Sequence, residues 1–435
     1  MVNKQIFKLN IFILCLIPIA LTTGPFLPDL FISILGLSTI YFLFSNEFNF
    51  RLLKNHITIF LFVFYFYLLI ISFFSDNILL SLESSLFYFR FIFFSLCIFY
   101  LLFYFSKLKY YFFCVLLLST LVVSIDGIIE FFFSFNLVSI IGLGHYSDAA
   151  NLQGRISGLF RDEWVIGSYL VRLTPLLMYL YFDLNVDKKF KILFYFTICC
   201  SSLSIILSGE RSALLYLLFL IVIIFCFLIK KTKDRKIIFL ALSFLIFLTP
   251  FYNDKLRDRL VNGFENHLSL DKQKNIYLKY FDSSTKMFFD KPLFGNGPKM
   301  FREKCKNYTK NKSIHDYGCS THPHNNYLQI LAETGLVGFL FLLTALIYFT
   351  KNLVKLFLNV KNFNLNHLIS RTSLLILFLI NLQPLVPTNN FFGNWINIYY
   401  FMPLGFYLHL VISDTGKYTP IYKMVASGGL EPPRE

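Results

Sequence analysis

The chain has 435 residues, of which 56% are hydrophobic, 19% aromatic and only 15% charged, with a formal net charge of +15. That composition cannot cover a water-solvated surface, so neither a soluble multidomain enzyme nor a nucleic-acid-binding protein fits, despite the basic excess. Apolar runs of about twenty residues recur from end to end. Each is long enough to cross a hydrocarbon core roughly 30 Å thick as a helix, whereas a barrel would show short alternating strands.

In chain order the apolar periodicity predicts spans near 6–22, 25–45, 57–74, 86–105, 110–133, 164–182, 192–208, 212–229, 237–252, 326–349, 368–386 and 395–412. The expectation is an all-α polytopic membrane protein of about twelve helices. Met1-Val-Asn-Lys4 opens directly into an apolar run without a small-residue cleavage site, so the first helix is expected to stay as an anchor. With the N-terminus inside, alternate connections carry Arg51 and Lys54, Lys107 and Lys109, Lys188, Lys189 and Lys191, Lys230 to Lys236, then Lys351, Lys355 and Lys361. Each satisfies the positive-inside rule, and the opposite turns at 23–24 and 75–85 contain no Lys or Arg. Residues 1–252 then form nine membrane helices and 253–325 a long periplasmic loop carrying short helices. Residues 326–412 form three further helices, and 413–435 a disordered cytoplasmic tail.

Three outer segments depart from the charge pattern. The first, 134–163, holds Arg155 and Arg161; the second is the tight turn Ser208-Gly-Glu-Arg-Ser212. The third, 253–325, has 14 Lys+Arg against 8 Asp+Glu and four of the eight histidines. A loop that long is translocated regardless of its charge. Six cysteines, Cys15, Cys97, Cys114, Cys199, Cys200 and Cys226, lie in apolar runs, where a thiol acts as a small hydrophobe. Cys305 and Cys319 sit in the long loop, in a compartment where a disulfide persists, and are expected to be bonded.

Polar groups that could carry chemistry cluster on this outer side. In His322-Pro-His324-Asn325-Asn326, Asn326 with Gln329 resembles a capping box, which starts a helix there and leaves His324 just outside its positive end. That position favours a neutral imidazole, which can accept a proton from a hydroxyl. The simpler alternative is that His322 and His324 only cap the helix or sit wet at the interface. Gly335 and Gly338, three apart, suggest close packing on one helical face. Arg211 is costly at a membrane edge without an anionic partner, which is either its neighbour Glu210 or a ligand. Arg155, Arg161 and Arg211 converging with a histidine would make a pyrophosphate pocket, because the planar guanidinium fork matches phosphate oxygens. Arg90, Arg172, Asp126 and Glu130 lie inside apolar runs. Pairing of the two acids with Arg90 or Arg172 is favoured over a transporter's proton relay. With no nucleotide-binding loop, zinc signature or Asp-rich motif, neither ATP use nor a tightly bound metal or other cofactor is expected.

These segments resemble the O-antigen ligase and O-antigen polymerase family of polytopic bacterial membrane proteins. The resemblance rests on His324, Asn325, nine intervening residues, then Gly335 and Gly338. Pro292-Leu-Phe-Gly295-Asn-Gly297, the 208–212 turn and Gly154-Arg-Ile-Ser-Gly-Leu-Phe160 are similar to further family segments in the same order. It extends over roughly residues 60–410 and implies an inverting, metal-independent glycosyltransferase at the periplasmic face of the inner membrane, in lipopolysaccharide biosynthesis. The implied donor is a glycan on undecaprenyl pyrophosphate; the implied acceptor is lipid A-core or another lipid-linked glycan, with nucleic acid excluded. His324 would activate the acceptor hydroxyl, and Arg211 and Arg155 would bind the pyrophosphate. Where many members carry a loop arginine some sixteen residues before the Pro-Leu-x-Gly segment, this chain has Ile276, leaving Lys274 and Lys279 as the nearby cations. Ligase and polymerase both fit the motif, a protein-glycosylating relative remains open, and outside the enzyme class the alternative is a transporter or flippase for polyprenyl-linked sugar.

Overall fold

The computed structural model describes residues 4–45, 54–140, 155–184, 186–231, 254–259, 275–308 and 319–414. Asparagines set where several helices begin. Asn55, Asn77, Asn275, Asn325 and Asn364 each stand just before a helix and accept hydrogen bonds of 2.8 to 3.1 Å from backbone N–H groups of its first turn. Such caps contribute about 1 kcal/mol each. Beyond the caps, apolar side chains face hydrocarbon or one another, and the helix satisfies its own backbone.

The principal helices are α1 (Lys4–Ala20), α2 (Phe26–Phe44), α3 (His56–Phe73), α4 (Ile78–Ser85), α5 (Phe89–Tyr104), α6 (Leu108–Phe133), α7 (Ile166–Leu184), α8 (Lys188–Leu207), α9 (Arg211–Lys231), α10 (Ile276–Asp290), α11 (Asn326–Leu358), α12 (Leu365–Leu382) and α13 (Asn394–Asp414). The described residues contain no strand. Helices occupy every expected span except 237–252, which lies outside the described residues, as does nearly all of the 413–435 tail. Among the described residues, nine helices are long and apolar enough to cross a membrane. That count takes α4 and α5 together over Ile78–Tyr104; of the two other occupied spans, α1 has 17 residues and α7 carries Arg172 and Asp183.

α12 is buried along almost its whole length and packs against α7, α9, α11 and α13. Around it, α5 joins α2 to α13, and α6 joins α1, α7 and α8. One hydrophobic core runs through all of them.

Two sequence expectations need correction. First, Asp126 and Glu130 pair with neither intramembrane arginine. Arg90 meets Asp29 at 2.8 Å and Asn394 at 2.9 Å; Arg172 donates to Asn381 at 2.9 Å and to the Ser168 carbonyl at 3.0 Å. The acids lie near the end of α6 and serve loop backbone instead. Asp126 accepts from Leu137 N at 2.7 Å, and Glu130 accepts from Ser157 N, Gly158 N and Asn136 Nδ2. Buried N–H groups cost free energy unless paired, and a carboxylate can accept several of them.

Second, Gly335 is not part of a small-residue helix face. It interrupts α11 at φ 66°, ψ −167°, a conformation essentially reserved for glycine. The segment Pro292–Gly297 crosses this break. Leu336 N donates to the Pro292 carbonyl at 2.8 Å, Gly297 N to Glu333 at 2.7 Å and Asn296 N to Ala332 at 3.2 Å. A Cβ on Gly295 would stand 2.5 Å from the Glu333 carbonyl, and one on Gly335 would stand 2.6 Å from Gly295 N. The two glycine motifs therefore form one backbone clasp. Beyond it α11 runs on to Leu358, which places Lys351 and Lys355 on the helix rather than in a connecting loop.

Candidate active site

One end of the bundle gathers several polar loop segments. The first contributor is the segment after α6, where Glu130 holds Ser157 and Gly158 and so fixes Arg155 two residues upstream. Arg155 donates to the Trp164 carbonyl at 2.7 Å, and its guanidinium lies 5.0 Å from the centre of the Trp164 ring. The second contributor is the 208–211 turn. The Glu210 carboxylate accepts from Gly167 N at 2.6 Å and from the Ser168 hydroxyl at 2.6 Å, capping the start of α7. Three donors from residues 167 and 168, the two backbone N–H groups and the Ser168 hydroxyl, converge on that carboxylate.

The third contributor, Arg259, was not singled out from the sequence. Its Nε donates to the Gly209 carbonyl at 2.9 Å, directly on the 208–211 turn. Burial and the nearby Arg155 and Arg211 guanidiniums push its pKa down to about 10, with Glu210 and Tyr277 opposing. It therefore stays charged at neutral pH. The available signal was the run Lys255-Leu-Arg257-Asp-Arg259 where the chain leaves its last apolar run. Arg257 spends its charge on Asp254, an exposed pair at 2.9 Å, while Arg259 turns inward.

Burial also lowers the pKa of Arg155, opposed by Glu210 and Tyr277. Tyr277, on α10, is raised by burial and opposed by Arg211, Arg155 and Arg259 together. Three guanidiniums from three separate segments thus lie within electrostatic reach of one another and of Tyr277. Like charges held this close in a partly buried site favour an anion among them.

The same tyrosine touches the histidine side. The His324 ring lies 5.7 Å from Tyr277, edge to face, and 5.5 Å from Tyr280 one turn further along α10. His324 sits at φ 56°, in the left-handed region, and its carbonyl accepts from Thr388 N at 2.8 Å. Burial lowers its pKa, so the imidazole is neutral. The His322 ring lies against it, tilted by 49° with ring centres 4.2 Å apart, and burial together with His324 pushes its pKa down to about 3. Both histidines precede α11, but the cap is Asn325. Gln329 closes no capping box and instead bonds Asn390 at 2.7 Å, Glu333 at 3.0 Å and Phe391 N at 2.9 Å. Those bonds tie the 388–391 segment to the histidine loop.

Of the remaining candidates, Gly295, Gly297, Gly335 and Gly338 all lie at or beside the clasp. Cys305 and Cys319 stand in bonded geometry with Cα atoms 5.3 Å apart, and the bridge fastens the segment before the histidines. Lys279 lies on α10 between Tyr277 and Tyr280, half-buried, and Arg161 is exposed. Lys274 lies outside the described residues. Beneath the site, an apolar cavity of about 310 Å³ opens between α3, α11, α12 and α13, with Leu382, Phe391 and Tyr400 at its upper end.

The bundle and its polar end describe a polytopic membrane protein in which Arg155, Arg211 and Arg259 gather at the same end as a neutral histidine. Residues 196–343 match the model of the family described as O-antigen ligase, a segment that contains Arg211, Arg259, Tyr277, the clasp and His324. That match supports a likeness, over this segment, to the O-antigen ligase and polymerase family. No curated protein matches the chain.

Proposed function

We propose that the protein is an O-antigen ligase-like inverting glycosyltransferase that moves a glycan from undecaprenyl pyrophosphate to lipid A-core at the periplasmic face of the inner membrane. The observation that carries this reading is the convergence of Arg155, Arg211 and Arg259 beside a neutral His324. His324 takes the proton from the acceptor hydroxyl as its oxygen bonds to the anomeric carbon of the donor sugar. The bond from that carbon to the pyrophosphate oxygen breaks on the opposite face, and pyrophosphate departs with the electron pair. Its growing charge is met by guanidiniums already in place, which lowers the barrier without reorganisation. Arg259 supplies the loop arginine missing at Ile276. Lys279 is a weaker candidate, because an ammonium lacks the bidentate fork. The apolar cavity under the histidine loop gives a lipid-borne substrate room for a hydrocarbon chain.

A deletion strain separates the acceptors. Loss of long glycan from lipopolysaccharide, with full-length polymer left on its lipid carrier, is the expected result. A single capped repeat would instead identify a polymerase. Unchanged surface glycan in the deletion strain would sink the proposal, and His324→Ala retaining full transfer while Arg211→Ala loses it would favour a carrier that only binds.

A further inference from the structure

We infer that Arg172 is a positioning residue that holds the two walls of the site, one carrying His324 and the other the arginines, in register through a hydrogen-bonded chain across the buried contact between α7 and α12. This rests on the reading of the polar end as a transfer site and adds to it the part that aligns base with leaving group.

Each link is a directed contact. From the histidine side, the His324 carbonyl accepts from Thr388 N at 2.8 Å, and the Thr388 hydroxyl donates to Asn326 Oδ1 at 2.9 Å. Asn326 Nδ2 donates to the Tyr400 hydroxyl at 2.7 Å, and that hydroxyl donates to the Asn381 carbonyl at 3.1 Å. The Asn381 side chain accepts from Arg172 Nε at 2.9 Å, and Arg172 Nη1 donates to the Ser168 carbonyl one turn earlier in α7 at 3.0 Å. The Ser168 hydroxyl donates to Glu210 at 2.6 Å, on the turn whose Gly209 carbonyl takes Arg259. A second route leaves the same guanidinium. It lies 5.4 Å from the centre of the Tyr216 ring, whose hydroxyl accepts from Gln383 Nε2 at 2.8 Å, and Gln383 Oε1 accepts from Leu385 N and Val386 N at 2.7 Å each. Both routes reach the 383–388 segment that borders His324.

Arg172 is 4% exposed and Asn381 2%. From α7 the guanidinium meets Asn381 on α12, Tyr216 on α9 and, at 5.8 Å, Tyr399 on α13. A cation inside apolar helices is costly, and its partners here are neutral carbonyls and rings, so pairing with a carboxylate does not account for it. What it supplies is a rigid fork whose donors point in fixed directions while its face lies against two rings. Packed helices shift past one another by about 1–2 Å, and a directed bond resists that slide. Misplacing reacting groups by about 1 Å costs about 10²-fold in rate, so the register of α7 against α12 bears on transfer.

The test uses the full-length protein in lipid nanodiscs, with spin labels on ketone-bearing amino acids at Asp162, exposed just before α7, and at Leu385, exposed just after α12. Arg172→Met removes the fork and keeps the bulk, and Asn381→Leu removes its partner from the other side. Each is expected to shift or broaden the distance between the labels by about 1–2 Å and to cut the kcat of glycan transfer by about 10–10²-fold. The KM for lipid-linked glycan and the affinity for inorganic pyrophosphate should stay within about twofold, because the arginine wall stays whole on its own side of the contact. Asn381→Asp keeps the acceptor and should restore both readouts. Arg172→Lys keeps the charge without the fork and must show the same split where the truncations fail to fold. Unchanged label distances in these variants overturn the alignment, and changed distances with kcat intact overturn its role in transfer. A joint fall of kcat and pyrophosphate affinity marks a general loss of structure and overturns it too. If the parent itself transfers no glycan, the reading of the site fails, while the label distances still decide whether Arg172 holds the two helices in register.

Discussion

The two walls of the site are built by different means. The histidine wall is made mostly of backbone. Asn325 caps α11, the Pro292–Gly297 segment clasps the break at Gly335, and the Thr388 amide bonds the His324 carbonyl. The arginine wall is assembled from residues 155, 211 and 259, and its supports are buried carboxylates: Glu130 grips the 157–158 loop and Glu210 grips the start of α7. A backbone clasp fixes position to a fraction of an ångström and tolerates little substitution, because glycine geometry admits no Cβ. Carboxylate supports fix loops through side chains, so each arginine can be lost or relocated with less damage to the fold.

The largest effects come from removing the chemistry. His324→Ala is expected to cut glycan transfer by about 10²–10⁴-fold, the range for a lost general base, and Arg259→Ala by about 10²–10³-fold, the range for a lost charge-stabilising donor. Transfer in membrane vesicles measures both. An Arg259→Ala variant as active as the parent would break the convergence on which the arginine wall depends. His324→Gly sharpens the contrast between chemistry and scaffold. It should be as inactive as His324→Ala yet no less stable than the parent, since glycine adopts φ 56° without strain.

Next in size is the clasp. Gly335→Ala puts a Cβ against Gly295 N and forces an L-residue into a glycine conformation, which should destabilise the protein by about 3 kcal/mol. The midpoint of thermal unfolding in detergent reports this directly. A shift smaller than that caused by Glu130→Gln would mean that the backbone clasp is not the stiffer wall.

The histidines also couple the first wall to pH. The folded-state pKa of His322 is about 3, below the unfolded value near 6.5, and that of His324 is lowered as well. Between those values the unfolded chain binds more protons than the folded one, so stability is complete above pH 6.5 and falls as pH drops toward 3. Unfolding midpoints measured between pH 7.5 and 5 should decline, and His322→Gln should flatten the decline. Equal slopes in parent and variant would remove His322 as its source.

What the sequence made legible follows the same division. Apolar run length located the helices, because a membrane leaves the backbone few options. The histidine wall was legible because its parts are local: a cap, a histidine and glycines at fixed spacing. Even there the glycines were assigned to a helix face, since spacing alone does not distinguish a packed helix from a broken one. The arginine wall was only partly legible. Arg155 and Arg211 stood out beside glycine-containing turns, but Arg259 lay in an ordinary basic run, and only the fold shows that it turns onto Gly209. The partners of Asp126 and Glu130 were misassigned for a related reason. Charge pairing is visible in a sequence, whereas the backbone N–H groups that these acids serve are not.

The smallest effect concerns the arginine that the structure leaves at the surface. Arg161 is exposed, ends the short 3₁₀ turn Gly158–Phe160, and has φ 57° and ψ −115°, a combination that only glycine adopts freely. Its position follows from the loop that Glu130 pulls inward, and an exposed guanidinium there adds little to a buried anion site, being screened by water and salt. Arg161→Gly should therefore change transfer by less than about twofold while raising stability by about 1 kcal/mol through relief of backbone strain. The two readouts together separate a strained loop end from a phosphate ligand. A gain in stability with transfer intact assigns Arg161 to the support of Arg155, and a tenfold loss of pyrophosphate affinity would return it to the arginine wall.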